Sequence, residues 1–202
     1  MKLLIVSASQ RTGSQSAKVA KYLASAASGY QDVSHLELCR YDLPFWDGED
    51  NSLDTPDSAW TLIKHKLRRA DAFILITPEW GGMATPILKN FLLMCDQQDT
   101  GHKPAMLVSV VSGISGAYPI AELRMNALKN NKLVAVPDHL IIRNVNDVLN
   151  LDEQPTARES NLRNRIDYSL HMLHQYAGVL GLVRSQHLAE PFPKQQEYAY
   201  GM

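Results

Sequence analysis

Phe73-Ile74-Leu75-Ile76 is apolar at every position and stops at Thr77-Pro78-Glu79-Trp80-Gly81-Gly82-Met83. A short run that is apolar on both faces reads as a strand covered on both sides, and such strands belong to parallel sheets flanked by helices. The rest of the chain repeats the pattern. Residues 2–7, 33–38 and 105–111 read as strands, as does a fifth region made of 132–136 and 140–143. Between them, residues 14–28, 58–69, 85–94, 118–130 and 159–180 read as helices. Ala17, Val19, Ala20, Leu23 and Ala24 fall at helical spacing in the first, and Trp60, Ile63 and Leu67 in the second. Pro86 sits in the first turn of the third, where a missing N–H costs nothing. Residues 42–56, rich in Asp, Gly, Pro and Asn, read as a loop. Strands alternating with helices imply an α/β fold with a parallel sheet, helices on both faces and right-handed crossovers.

The chain of 202 residues is long enough for one domain with a large core. From Ser185 onward, with Pro191 and Pro193, it reads as extended. That divides it into a domain at 1–184 and a tail at 185–202, which is expected to pack on a partner subunit. A formal net charge of -1 offers no basic surface for nucleic acid. The apolar runs are far too short for a membrane span. Met1-Lys2 leads straight into Leu3-Leu4-Ile5-Val6 with no small-residue cleavage site, so no signal peptide is expected. Cys39 and Cys95 have no metal-ligand spacing and read as free, buried thiols of a reducing, cytoplasmic compartment.

In open α/β sheets, ligands sit at the carboxyl ends of the strands, so the loops there carry the functional reading. The first is Ser7-Ala8-Ser9-Gln10-Arg11-Thr12-Gly13-Ser14-Gln15-Ser16. Its lone glycine argues against the G-x-G-x-x-G turn of dinucleotide folds. Its hydroxyls suit a terminal phosphate instead: Ser9, Ser14 and Ser16 can donate, Arg11 can add a charge-assisted pair, and the following helix supplies free N–H groups. The alternative is a helix merely capped by Ser14. In the second loop, Gly81 and Gly82 permit close backbone approach, Trp80 can wall an aromatic ring, and Glu79 can accept from ligand N–H groups. The alternative there is a tight turn with Trp80 as core filler. The third loop, Ser112-Gly113-Ile114-Ser115-Gly116-Ala117, is weak alone but lies on the same sheet edge. Together the three loops could hold the phosphate, ring edge and ring face of one flat ligand, which points to a flavin.

These loops resemble two motifs of the NADPH-dependent FMN reductase family. The family's G-S-x-R-x-x-S-x-N is similar to Ala8-Ser9-Gln10-Arg11-Thr12-Gly13-Ser14-Gln15-Ser16, with Ser16 where asparagine is usual. Its P-E-Y-N-x-S-x-P-x-x-L-K-N is similar to Pro78-Glu79-Trp80-Gly81-Gly82-Met83-Ala84-Thr85-Pro86-Ile87-Leu88-Lys89-Asn90. Trp80, Gly81 and Met83 replace tyrosine, asparagine and serine, and the inner proline comes one place late. The resemblance spans about residues 1–145. It implies a flavodoxin-like three-layer sandwich with a five-stranded parallel sheet in the order 2-1-3-4-5. It implies FMN held by Ser9, Arg11, Ser14, Gln15, Ser16, Pro78, Glu79, Trp80, Gly81, Gly82, Met83, Ser112, Gly113 and Gly116.

The same resemblance implies NADPH or NADH as hydride donor and a flavin, quinone or other small aromatic acceptor. The chemistry would be the cofactor's, with backbone N–H groups near residues 81–83 stabilising charge on the reduced ring and no catalytic side chain. It also implies a homodimer or homotetramer, with residues 85–94 and the last helix as candidate interfaces. Met83 would make the acceptor side more apolar. A flavodoxin-type electron carrier stays open, although the near-neutral charge speaks against it, as does a scaffold that has lost its cofactor. Elsewhere the residues read plainly. His65 and His102 are expected on exposed segments, His139 near the sheet edge, and His171 and His174 lack a third metal ligand. Ser9 has no nucleophile elbow around it. Arg158, Arg163 and Arg165 with Glu159 and Asp167 read as a solvated helical face.

Overall fold

A computed structural model describes residues 1–49, 58–150 and 154–198, with the side chain of Gln196 left aside. The loop expected at 42–56 is therefore described only as far as Glu49, and the remainder lies outside the described residues. The strands are β1 (Lys2–Ser7), β2 (Asp32–Glu37), β3 (Ala72–Pro78), β4 (Pro104–Val110), β5 (Val134–Ala135) and β6 (Leu140–Ile142). The helices are α1 (Gln15–Ala26), α2 (Ala59–Arg69), α3 (Pro86–Met94), α4 (Gln97–Thr100), α5 (Ala117–Asn126) and α6 (Ala157–Ala189). All pairings in the sheet are parallel, in the order β2-β1-β3-β4-β5, with β6 also on β4.

The fifth strand is interrupted. β5 pairs with Pro104 and Ala105, and β6 pairs with Val108, Ser109 and Val110 further along the same neighbour. Pro137 lies in the gap and has no N–H for the ladder. The Arg124 guanidinium fills the break, donating to the carbonyls of Val136 at 2.5 Å and Pro137 at 2.9 Å.

Strand alternation sorts the core into two layers. Leu3, Ile5, Ile74, Ile76, Met106 and Val108 face α1 and α6, meeting Val19, Leu23, Ile166, Leu170 and Leu173. Leu4, Val6, Phe73, Leu75 and Leu107 face the other way, onto Trp60, Ile63, Leu67, Leu88, Phe91 and Leu123. Trp60 and Phe91 meet edge-on, with ring centroids 6.0 Å apart. These central strands are buried on both faces, which is why their sequences run apolar without alternation.

The end of the chain departs from its sequence reading. α6 continues through Ser185 to Ala189, and a 3-10 turn follows at Gln195–Tyr198. Gly178 and Gly181 do not stop the helix, because a glycine costs a helix only about 1 kcal/mol. The stop comes at Glu190, directly before Pro191, whose ring disfavours helical backbone at the preceding residue. α5 ends at Asn126 rather than at 130, and the Asn131 amide donates to the Ala127 carbonyl at 2.9 Å as the chain turns away.

One acidic member of the expected solvated face, Glu159, is internal, while Asp167, Arg158 and Arg165 are exposed. Glu159 is 3% exposed, accepts from the Leu149 N–H at 3.0 Å, and pairs with Arg163 at 2.6 Å. His174 packs edge-on against Tyr30 at 5.2 Å rather than facing solvent. Burial, and the nearby Asp71 carboxylate, push the Tyr30 hydroxyl well above its ordinary pKa. Among the described residues, no helix is long and apolar enough to cross a membrane, and no metal-binding group of His, Cys, Asp or Glu occurs. Both cysteines are free: Cys95 is buried, whereas Cys39 is only half-buried, beside Glu37 and the Arg11 carbonyl. Burial drives both thiols above their usual pKa, so neither is an activated nucleophile.

Candidate functional site

The loops after β1, β3 and β4 converge at the carboxyl ends of the strands. Short bonds fix them to one another. The Ala8 N–H donates to the Ile76 carbonyl at 2.9 Å, and the Glu79 N–H to the Val110 carbonyl at 3.0 Å. Buried Thr85 ties the first two loops, its hydroxyl donating to the Ala8 carbonyl at 2.6 Å and its N–H to Thr77 Oγ1 at 3.1 Å. Glu122 reaches across from α5 and accepts from the Ala84 N–H at 2.7 Å and from Lys89 at 2.9 Å.

The first loop forms a cradle over the start of α1. Ser14 is the N-cap and accepts from the Ala17 N–H at 3.1 Å. Ser9 accepts from the Arg11 N–H at 3.2 Å. Because both hydroxyls accept from backbone, each retains its own O–H to donate elsewhere. Gly13 holds φ +63 with open space around it. Ser16, in the first turn of α1, is 1% exposed and its hydroxyl has no partner. A buried orphan hydroxyl at a helix N-terminus, where N–H groups and the dipole already favour an anion, calls for an acceptor.

In the second loop, Trp80 and Met83 exchange both backbone bonds, at 3.2 and 3.1 Å, around Gly81 (φ +59) and Gly82 (φ +77). Positive φ at both central residues is the demand of a primed turn, which only glycine meets without strain. This pairing takes the Met83 N–H, which the sequence reading had left for a ligand; the Gly81 and Gly82 N–H groups stand outside the pair. Trp80 is half-buried and not core filler. The Arg11 guanidinium lies over its ring, 5.1 Å from the centroid, so Arg11 bridges the first two loops.

The third loop is locked to the second through Glu79. Ser115 donates to Glu79 Oε2 and its carbonyl accepts from Arg143 at 2.8 Å, while Glu79 Oε1 is buried with no partner. Gly116 (φ +103) is buried under Ile141, Val111 and Ser109.

These parts enclose an open cleft of about 290 Å³, near the lower end of cofactor pockets. Ser9, Arg11, Ser14, Gln15, Ser16, Pro78, Glu79, Trp80 and Ser112 all line it, as the sequence motifs anticipate. Gly81, Gly82, Met83, Gly113 and Gly116 do not: Gly81 and Met83 are exposed beside the cleft, Gly113 is exposed on its loop, and Gly116 lies beneath the wall. Thr12, Gly13, Val110, Val111 and Val145 complete the lining. Thr12 and Gly13 were within the quoted loop. Val145 had no sequence signal, since Asn144 (φ +49) turns the chain back after β6 to bring it there. The Lys18 ammonium holds that segment to α1, donating to the carbonyls of Val145 at 2.6 Å and Val148 at 2.9 Å, and to Asn150 at 2.9 Å.

A parallel sheet in this order, with a hydroxyl-rich turn after its first strand and a cleft at its carboxyl edge, defines a flavodoxin-like mononucleotide-binding protein. The chain belongs to the NADPH-dependent FMN reductase family, whose model matches residues 1–147. It is 33% identical over 149 residues to an FMN-dependent NADPH-azoreductase of Staphylococcus haemolyticus, covering 69% of this chain and 76% of that one. It is 30% identical over 118 residues to a quinone reductase of Pseudomonas putida, covering 56% of this chain and 62% of the other. Its fold is shared with a flavoenzyme NAD(P)H:(acceptor) oxidoreductase from Paracoccus denitrificans, at a TM-score of 0.66 and 21% identity, over 88% of this chain and 96% of that one.

Proposed function

We propose that this chain is an FMN-dependent NAD(P)H oxidoreductase whose acceptors are flat aromatic molecules such as quinones, free flavins or azo compounds. The observation that carries the reading is the buried, unpartnered Ser16 hydroxyl in a cradle built for a phosphate monoester. Ser9, Ser14 and Ser16 donate to the phosphate, with the first N–H groups of α1 behind them. The orphan Glu79 Oε1 would accept from a ring N–H, with the N–H groups of Gly81 and Gly82, beside the cleft and outside the Trp80–Met83 pair, as further donors. Trp80, braced by Arg11, walls the ring on one side. When bound, FMN supplies the hydride-accepting and hydride-donating chemistry. The protein's part is to orient two flat molecules in turn and to present fixed dipoles where negative charge develops.

The visible absorption spectrum before and after anaerobic NADPH tests this. Flavin bands that bleach on addition are the expected result. A protein that contains no flavin and takes up none from added FMN would overturn the reading, and flavin bands indifferent to NADPH and NADH would make it a carrier.

Met83 is 54% exposed beside the cleft, with Tyr118 packed next to Gly82. Met83→Ser is expected to shift the ratio of kcat/KM between an apolar quinone and a polar acceptor by about tenfold, with FMN affinity changed less than twofold. Identical acceptor ratios in the two proteins would remove Met83 from the acceptor side.

We also read the chain as a homodimer or homotetramer in a reducing compartment. Exposed Leu93 on α3 and Val179 and Leu182 on α6 support the first part, and two free cysteines the second. Light scattering of the flavin-loaded protein checks it; a monomer at micromolar concentration would refute the assembly.

A further inference from the structure

A cavity of about 610 Å³ lies at the opposite end of the sheet from the flavin cleft. It forms where α4, the turn before β4 and the last turns of α6 meet the final 3-10 turn. Among the described residues its ionic lining is Lys103, Lys132 and Arg184, joined by the imidazoles of His102 and His187, with no carboxylate. Its remaining walls include Leu188, Phe192 and Tyr198. Two edge-on ring pairs shape it, His102 with His187 at 5.4 Å and Phe192 with Tyr198 at 6.4 Å.

The compensating carboxylates stand outside the lining: Asp71 acts on Arg184 and Lys103, and Asp99 on Lys103. Lys103 is 7% exposed and donates to the carbonyls of Leu67 at 2.7 Å and Arg68 at 3.0 Å, neither of which is an anion. Arg184 donates to the His102 carbonyl at 3.2 Å, and its nearest carboxylate, Asp71, stands off at 3.7 Å. The groups repel one another as well. Burial, then His187, Lys132 and Arg184, hold His102 below its ordinary pKa, and burial, then Arg184, does the same to Lys103. A roomy pocket with apolar, aromatic walls and a lining of cations without carboxylates is complementary to one kind of small molecule.

We propose that this cavity is a second binding site, for a small flat aromatic anion such as an aryl carboxylate or sulfonate, with Lys132, His187 and Arg184 facing the anion and Phe192 and Tyr198 the ring. The site needs no flavin, so it stands or falls separately from the oxidoreductase reading. Calorimetric titration of the FMN-saturated protein with 2-naphthalenesulfonate, which has no reducible azo or quinone group, tests it. One equivalent is expected to bind without releasing FMN. Lys132→Gln and His187→Ala are each expected to weaken binding about tenfold, the loss of one hydrogen-bond donor to the anion. Phe192→Ala is expected to weaken the sulfonate but leave any binding of inorganic sulfate unchanged. NADPH oxidation should be the same in all three variants. Absence of binding, displacement of FMN by the probe, or wild-type affinity in all three variants would each overturn the proposal.

Discussion

Gly116→Ala is expected to cost the protein about 2–4 kcal/mol of stability and most of its bound flavin. Two penalties add at this residue. Its φ of +103 is a conformation that side chains with a Cβ rarely adopt. A Cβ there would also overlap Ile141 Cγ2 and press on Val111 Cγ1 at 3.3 Å. Neither neighbour can swing away, since both are β-branched and anchored at strand ends. The loop it terminates carries Ser112 in the cleft wall and Ser115 on Glu79, so a displaced Gly116 moves the ring side of the site. Urea unfolding with flavin content per chain measures both effects. Gly116→Ala combined with Ile141→Ala should recover the steric part of the loss and not the backbone part. A single variant within about 0.5 kcal/mol of wild type would show that the turn is not strained as described.

The second large effect is a pH dependence of stability from Lys103. Burial, with the repulsion of Arg184, lowers its pKa from 10.5 to about 8. A neutral amine still has two N–H donors, enough for the Leu67 and Arg68 carbonyls, so those bonds do not block deprotonation. Between about pH 8 and about 10.5 the unfolded chain holds a proton that the native one has released. Stability from this residue therefore rises with pH across that window, by about 3 kcal/mol at most. Below about pH 8 both states are charged and the full burial penalty stands. Lys103→Met removes the titration. The stability of wild type relative to that variant should climb from pH 7.5 to about pH 10 in urea unfolding, in a buffer without aromatic anions. A constant difference across that range would mean that Lys103 keeps its ordinary pKa in the folded protein.

Much of the architecture was readable because burial leaves a mark on composition. Strands covered on both faces must be apolar throughout, and Phe73 to Ile76 obeys that rule in the centre of the sheet. The first loop and Pro78 to Trp80 of the second line the cleft, and their place after strands was legible because open sheets carry clefts at the carboxyl ends of their strands, whereas Gly81, Gly82 and Met83 stand outside it. What escaped was decided by long-range contacts. Val145 enters the cleft through a left-handed Asn144 and a lysine far away in the chain. Glu159 looks like a surface charge in sequence, yet it is buried to satisfy the Leu149 N–H. The Met83 N–H was assigned to a ligand because a sequence does not show which turn two adjacent glycines will make. Past Gly181, α6 carries Arg184 to His102 and Asp71, contacts that local sequence does not show.

The Lys18 strut has a consequence for biogenesis. The helix behind the first loop is made early in synthesis, but its Lys18 ammonium donates to Val145, 127 residues later. Until the sixth strand has been translated and docked, Val145 cannot join the cleft lining. The binding site is thus not assembled in the order in which the chain emerges from the ribosome. An N-terminal fragment ending at β4 would carry both sequence motifs and still lack Val111, Ser112 and Val145 of the cleft lining. Cofactor capture is in this way deferred until the whole sheet is in place.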